Sequence, residues 1–289
     1  MVQAGYAERV LRTFGMWDCN PVLTPMDRNV RLTKRDSPEV VDPLLHRQIR
    51  SIVGCLSYLV NMTRPDLAFT YYELSKFVQS PGPVHLAAAE RALAYLRGTC
   101  NEGITYCDLG EDRRNKLTGW VDSDFAADTD TRKSMTGYLF YGGAVPWRSS
   151  RHGGGSVTGG SRSHLSASAT AGFQQVGATE IWEDNASCIM MSKNPANRQR
   201  TRHVDTRVHY LRELVRDGHV KLLKCAGPQN VADALTKSLP RQALSKHRQY
   251  MWGTRIPFSA FYLSLKTGRP PTASYNIITP CGYQVARAA

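Results

Sequence analysis

The sequence predicts an α/β layer fold, a mixed sheet with flanking helices, preceded by a mostly α-helical segment. Three observations lead there. Residues 1–102 carry helical periodicity, and the period becomes strand-like after residue 103. Short runs rich in apolar, aromatic or β-branched residues then follow one another closely. Further on, helical and strand patterns alternate in the order βββ-α-(β)-α-β-α, which is that of helices layered on a mixed sheet. A chain of 289 residues is long enough for two modest cores. The expected division is a helical segment over 1–102, an α/β domain over 103–240 and a tail, 241–289, with no assigned structure.

In the helical part, Tyr6 to Phe14 reads as a short amphipathic helix. The stretch through Pro21, Pro25, Arg28, Arg31, Lys34 and Arg35 is basic and irregular. A second helix is expected from Pro43 to Asn61, with Ile49, Ile52, Val53, Leu56 and Leu59/Val60 on one face. Thr63-Arg64-Pro65-Asp66 resembles a capped helix start: Thr63 as cap, Pro65 in the first turn and Asp66 reaching back. That third helix runs to Val78. A fourth, Val84 to Arg97, is expected to stop at a left-handed Gly98.

In the second part, Leu117 to Val121, Met135 to Tyr141 and Ala144 to Trp147 form an antiparallel meander with a turn at Gly142-Gly143, and Ile104 to Cys107 is a lead-in or an extra strand. A glycine-rich stretch from Gly153 to Gly160 lacks the Lys-Ser/Thr ending of a phosphate-binding loop and reads as a loop. Helices are expected over Ser163 to Val176, Thr201 to Asp217 and Asn230 to Leu239, with a strand at Val220 to Cys225.

Lys and Arg number 37 against 24 Asp and Glu, a net charge of +13, which favours a polyanionic partner through phosphate contacts. Seven cysteines without a CxxC pair support neither a zinc site nor a disulfide framework. They fit a reducing, intracellular setting, a cytoplasmic particle or the nucleus. The longest apolar stretch, Ile52 to Val60, is too short for a membrane span, and no signal-peptide pattern is present.

The chemistry is concentrated in carboxylates. Asp122 and Asp124 lie at a strand end, Asp184-Asn185 follows much later, and Asp233 stands in Asn230-Val231-Ala232-Asp233-Ala234-Leu235. A fold that gathers Asp122, Asp184 and Asp233 would make a site for magnesium or manganese, hard cations that prefer oxygen. Two such ions about 3.5 to 4 Å apart suit phosphodiester hydrolysis. Each acid also admits a plainer role, as a turn cap, a helix head or a first-turn acid.

The surrounding words carry a resemblance. Arg12-Thr13-Phe14-Gly15-Met16, Thr24-Pro25-Met26, Val53 to Leu59, Thr63-Arg64-Pro65-Asp66 and Tyr95-Leu96-Arg97-Gly98-Thr99 look like the reverse transcriptase thumb and connection of copia-type retrotransposon Pol polyproteins. Asp122 to Ala126, Ser134-Met135-Thr136-Gly137-Tyr138, Asp184-Asn185, Thr201 to Asp205 and Ala232 to Lys237 are similar to the RNase H domain that follows. The resemblance runs from Gln3 to about Pro240. It implies an RNase H-like sheet, hydrolysis of RNA in RNA/DNA hybrids, and Asp122, Asp184 and Asp233 as catalytic metal ligands. It also implies the remainder of Pol, palm and fingers, as partner in the parent element. The polymerase palm would lie upstream of Met1, so DNA synthesis by this chain alone is not expected.

Two departures predict an impaired or inactive copy. The family's helical metal-bridging Glu falls on Ala169, whose methyl cannot ligate. Glu180, eleven residues on, would be about 16 Å away along a continuous helix. The segment from Phe173 to Asp184 also has room to finish a helix or build a strand, hardly both, so a truncated fourth strand and a misplaced Asp184 are expected. A displacement of about 1 Å can cost a hundredfold in rate.

From Arg198 to Lys224, eight Arg and Lys face three acids. Arg198, Arg200, Arg202, His203, Arg207 and His209 are the candidate phosphate contacts, with a solvated helix face as the plain alternative. His203, Asp205 and His209 lack the HExxH spacing of a zinc helix. Trp120, Trp147 and Trp182 read as core. The competing functional reading is a non-catalytic nucleic-acid-binding remnant, or a degraded element with no stable activity.

Overall fold

Burial follows the predicted helical faces closely at the start of the chain. In this computed structural model, which describes residues 1–106, 117–124, 128–141, 147–152, 177–193 and 205–254, α1 (Ala4–Thr13) buries Ala7, Val10 and Leu11. Helix α2 (Pro43–Met62) starts at Asp42, whose side chain accepts from the Leu44 backbone N–H, with Pro43 in the first turn. It buries the expected face, Ile49, Ile52, Val53, Leu56, Leu59 and Val60.

The expected helix from Thr63 to Val78 is instead a 3₁₀ turn, Pro65–Leu67, followed by α3 (Ala68–Ser75). Thr63 terminates α2 rather than capping α3, and its hydroxyl donates to Gln3 Oε1 at 2.7 Å. Asp66 cannot reach back because it is held in a buried pair with Arg64. Helix α4 (Pro83–Gly98) includes Gly98 as its last residue, without a left-handed turn. Glycine leaves room there for a close approach, since a Cβ would lie 3.0 Å from Pro21 Cβ.

Five strands form one sheet in the order β3-β2-β1-β4-β5. They are β1 (Thr118–Asp124), β2 (Ser134–Tyr141), β3 (Trp147–His152), β4 (Thr179–Glu183) and β5 (Val220–Lys224). The first three are an antiparallel meander, while β4 runs parallel to both β1 and β5. β3 begins where the predicted strand was to end, with Trp147 opposite Leu139. Its sequence, Trp-Arg-Ser-Ser-Arg-His, is polar because it lies at the sheet edge, where the apolar signal fades. The predicted Gly142-Gly143 turn lies outside the described residues. Residues 104–106 form no strand: the Ile104 N–H bonds Met1 O, and the Thr105 N–H bonds Trp252 O.

The fourth strand is not truncated. It has five residues, pairs along its whole length with β5, and pairs through Thr118–Trp120 with β1. Strand geometry therefore claims the residues just before Asp184; the helix expected over Ser163 to Val176 lies outside the described residues. Beyond β4 come α5 (Ala186–Lys193) and α6 (Asp205–Arg216), which cover one face of the sheet. There Val121, Phe140, Ile181 and Leu222 pack with Ile189, Leu211 and Leu214.

The predicted helix Asn230 to Leu239 is only a five-residue 3₁₀ turn, Val231–Leu235, and every residue of it is buried. A segment buried on all sides carries no amphipathic period, so its sequence gives no signal for the type or length of the helix. Asn230 fixes its entry, accepting from the Ala232 N–H and donating to Val121 O at 3.0 Å. A helix in the unassigned tail follows, α7 (Arg241–Met251). Residues 1–254 make one compact unit, and none of the described helices is long and apolar enough to cross a membrane.

Candidate metal centre

The carboxyl ends of β1 and β4 meet at the middle of the sheet. Trp120 pairs with Trp182, and the same parallel register continued by two residues sets Asp122 level with Asp184. One carboxylate oxygen from each of Asp122, Glu183 and Asp184 lies within 4.8 Å of the others. Asp122 and Glu183 are buried and Asp184 is partly buried. An octahedral magnesium with ligands at about 2.0 to 2.1 Å spaces them roughly 3 to 4 Å apart, so a slight closure of this trio accommodates one ion. The donors are hard oxygens, which suits magnesium or manganese. Cys225 nearby is no competitor, because burial, then Asp184 and Glu183, push its thiol up to about 12.

Asp233 arrives on the 3₁₀ turn after β5. Its Oδ1 is 3.0 Å from Lys237 Nζ, which is also 4.0 Å from Asp122 Oδ2. The Thr236 hydroxyl donates to that same Asp122 oxygen. Burial, with Asp122 adding repulsion, pushes Asp233 up to about 7, against the pull of Lys237. Burial also raises Asp122, opposed by the Thr236 hydrogen bond and Lys237. Lys237 is held above its ordinary value by Asp122 and Asp233, which outweigh its own desolvation.

The structure thus brings Asp122 and Asp184 together, and joins Asp233 to Asp122 through Lys237. The expectation that Asp184 would be misplaced is overturned, because β4 is complete and delivers it to the level of Asp122. Glu183 was missed. In an ideal pleat successive side chains take opposite faces, so strand alternation predicts that Glu183 faces away from Asp184; Asp184 lies just past the end of β4, where that alternation lapses. The Glu-Asp pair closing an apolar strand was the available signal. Glu180 takes no part, its carboxylate lying 3.7 Å from Lys221 on β5. Ala169 lies outside the described residues.

Of the candidate phosphate contacts, Arg198, Arg200, Arg202 and His203 lie outside the described residues. Arg207 sits in α6 with its side chain outside them, and His209 is exposed on the same helix. Among the described residues His209 joins no group able to share a cation. Trp120 and Trp182 are buried as expected, while Trp147 is partly buried and donates to Val60 O at 2.9 Å.

No protein-family model matches the chain. It is 36% identical over 256 residues to the retrovirus-related Pol polyprotein from transposon TNT 1-94 of Nicotiana tabacum, covering 83% of this chain and 19% of that protein. With the retrovirus-related Pol polyprotein from transposon RE1 of Arabidopsis thaliana it shares 30% identity, over 88% of this chain and 18% of the relative. A shorter match, 43% identical over 103 residues, joins 35% of the chain to 70% of the secreted RxLR effector protein 161 of Plasmopara viticola. The chain spans under a fifth of the length of the two Pol polyproteins. With these alignments running through both the helical segment and the sheet, the chain belongs to the retrovirus-related Pol polyproteins of copia-type retrotransposons.

Proposed function

We propose that this chain is a Pol segment whose sheet is an RNase H-like domain, built for metal-dependent hydrolysis of RNA in RNA/DNA hybrids and slow in this copy. The observation that carries the reading is the trio Asp122, Glu183 and Asp184 at the carboxyl ends of two adjacent parallel strands. The strand order, with an antiparallel meander beside two parallel strands, supports it.

Asp122, Glu183 and Asp184 would hold a magnesium or manganese ion. Such an ion, when bound, supplies water activation and stabilisation of the leaving oxygen. The chain's own contribution is positional. Thr236 fixes the Asp122 carboxylate by its hydrogen bond, and the Asn230 amide pins the Asp233 turn to β1. The net charge of +13 would hold the hybrid's phosphates. The impairment rests on Ala169, which supplies no carboxylate.

The test is cleavage of a labelled RNA/DNA hybrid by the purified chain with and without magnesium. The expected result is slow, magnesium-dependent cutting of the RNA strand that Asp122→Asn removes. Turnover at about 1 s⁻¹ or above, the lower end of typical enzymes, would overturn the impairment. Binding whose affinity falls steeply with salt, with no cutting at any magnesium concentration, would favour the non-catalytic nucleic-acid-binding reading instead.

A further inference from the structure

Lys237 stands where a cation belongs. Its ammonium lies 3.0 Å from Asp233 and 4.0 Å from Asp122, so it bridges the acid on the 3₁₀ turn to the acid at the end of β1. The three-oxygen set of Asp122, Glu183 and Asp184 does not include Asp233. The four carboxylates therefore divide into two groups that share Asp122, one with three oxygens close enough to hold a divalent ion and the other bridged by the lysine ammonium.

We propose that the Lys237 ammonium occupies the position of a second divalent cation, so that the site takes a single metal ion, on Asp122, Glu183 and Asp184. This rests on the metal-dependent reading above and deepens it. A second divalent ion bound by Asp233 would sit against the ammonium and be repelled by it, since both would compete for the same Asp233 oxygen. The lysine also has a structural reason to stay. It is anchored four residues along from Asp233, on the segment that gives Thr236 to Asp122, so it keeps the turn docked when no metal is bound.

Manganese titration of the full chain, read by electron paramagnetic resonance of the free ion and by calorimetry, tests this without reference to activity. The wild type should bind one Mn²⁺ per chain, Lys237→Met two, and Lys237→Arg, which keeps the charge, one. The lysine side chain is 41% exposed, so its replacement leaves little void, and Lys237→Gln serves as a second neutral variant. Two ions in the wild type, or one ion still in both neutral variants, would overturn the proposal while leaving a metal-dependent hydrolase standing. No ion bound by any variant would overturn both.

Discussion

Asp233 shows how a single side chain sets the pH behaviour of the site. An unfolded aspartate titrates near 4, whereas burial and the neighbouring Asp122 push this one up to about 7. The folded state therefore holds the proton more tightly than the unfolded state. The stability this contributes is complete below about pH 4 and is lost as the pH rises through about 7. Without added metal, the melting temperature should fall between pH 5 and pH 8, and Asp233→Asn should flatten most of that slope in melts followed by circular dichroism. Asp122, raised for the same reason, leaves a residual slope of the same sign; an unchanged slope in Asp233→Asn would show that the proton resides elsewhere. Glu183→Gln should weaken Mn²⁺ binding by about tenfold or more, the lower end of what a lost carboxylate near a metal costs, and equal affinity would remove Glu183 from the donor set. Asp122, Asp184 and Asp233 were legible in the sequence as acids at element boundaries. Glu183 was not, because strand alternation predicts that neighbours on β4 face apart, and only the end of the strand lets both carboxylates approach Asp122.

Among the elements, β2 and the Val231–Leu235 turn are fitted to each other through one missing side chain. Gly137 is the register partner of Asp122. A Cβ on it would meet Leu235 Cβ at 2.7 Å, Thr236 Cγ2 at 3.0 Å and Ala232 O at 3.1 Å. The glycine thus lets the turn lie on the sheet directly beside Asp122, which is how Asp233, Thr236 and Lys237 reach that acid. Leu235 Cβ and Ala232 O cannot swing aside as a side-chain tip could, so Gly137→Ala must lift the turn. We expect a loss of about 1 to 3 kcal/mol, the usual range for overpacking, measured by urea denaturation, together with weaker Mn²⁺ binding. Unchanged stability would mean that the turn is not held by this contact. A glycine inside a strand pattern signals a close approach of another backbone, but sequence does not say which one. Elements with one buried and one exposed face, α2 and β5, were read almost to their ends. Those buried all round or lying at the edge, the 3₁₀ turn and β3, were misread because periodicity has nothing to report there.

Across the whole unit, polar contacts tie the helical segment to the sheet and to α7. Trp147 on β3 donates to Val60 O of α2, and Lys76 Nζ lies 3.2 Å from Asp128 Oδ2. The largest joint is centred on Arg64. Its guanidinium, 1% exposed, grips both oxygens of Asp66 at 2.9 and 2.8 Å and donates to Thr99 O and Oγ1. Asp66 also accepts from the Tyr95 hydroxyl at 2.7 Å. Arg248 on α7 donates to Tyr95 and stacks 4.6 Å from the Trp252 ring, which closes the cluster from the far end of the unit. Residues before β1 and residues after β5 therefore close over one charge network, and separating them would break the Arg248–Tyr95 and Trp252–Asp66 hydrogen bonds and expose the Arg64–Asp66 pair. A single cooperative transition is expected in scanning calorimetry, with calorimetric and van't Hoff enthalpies in agreement; two resolved transitions would show that the helical segment and the sheet melt apart. Asp66→Ala should cost about 3 to 5 kcal/mol, because it leaves Arg64 buried without its counter-charge, and should lower that transition by roughly 10 °C at about 2 to 4 °C per kcal/mol. The double change Arg64→Met with Asp66→Leu removes both charges, and recovery of most of the loss in that variant would assign it to the stranded arginine rather than to lost packing.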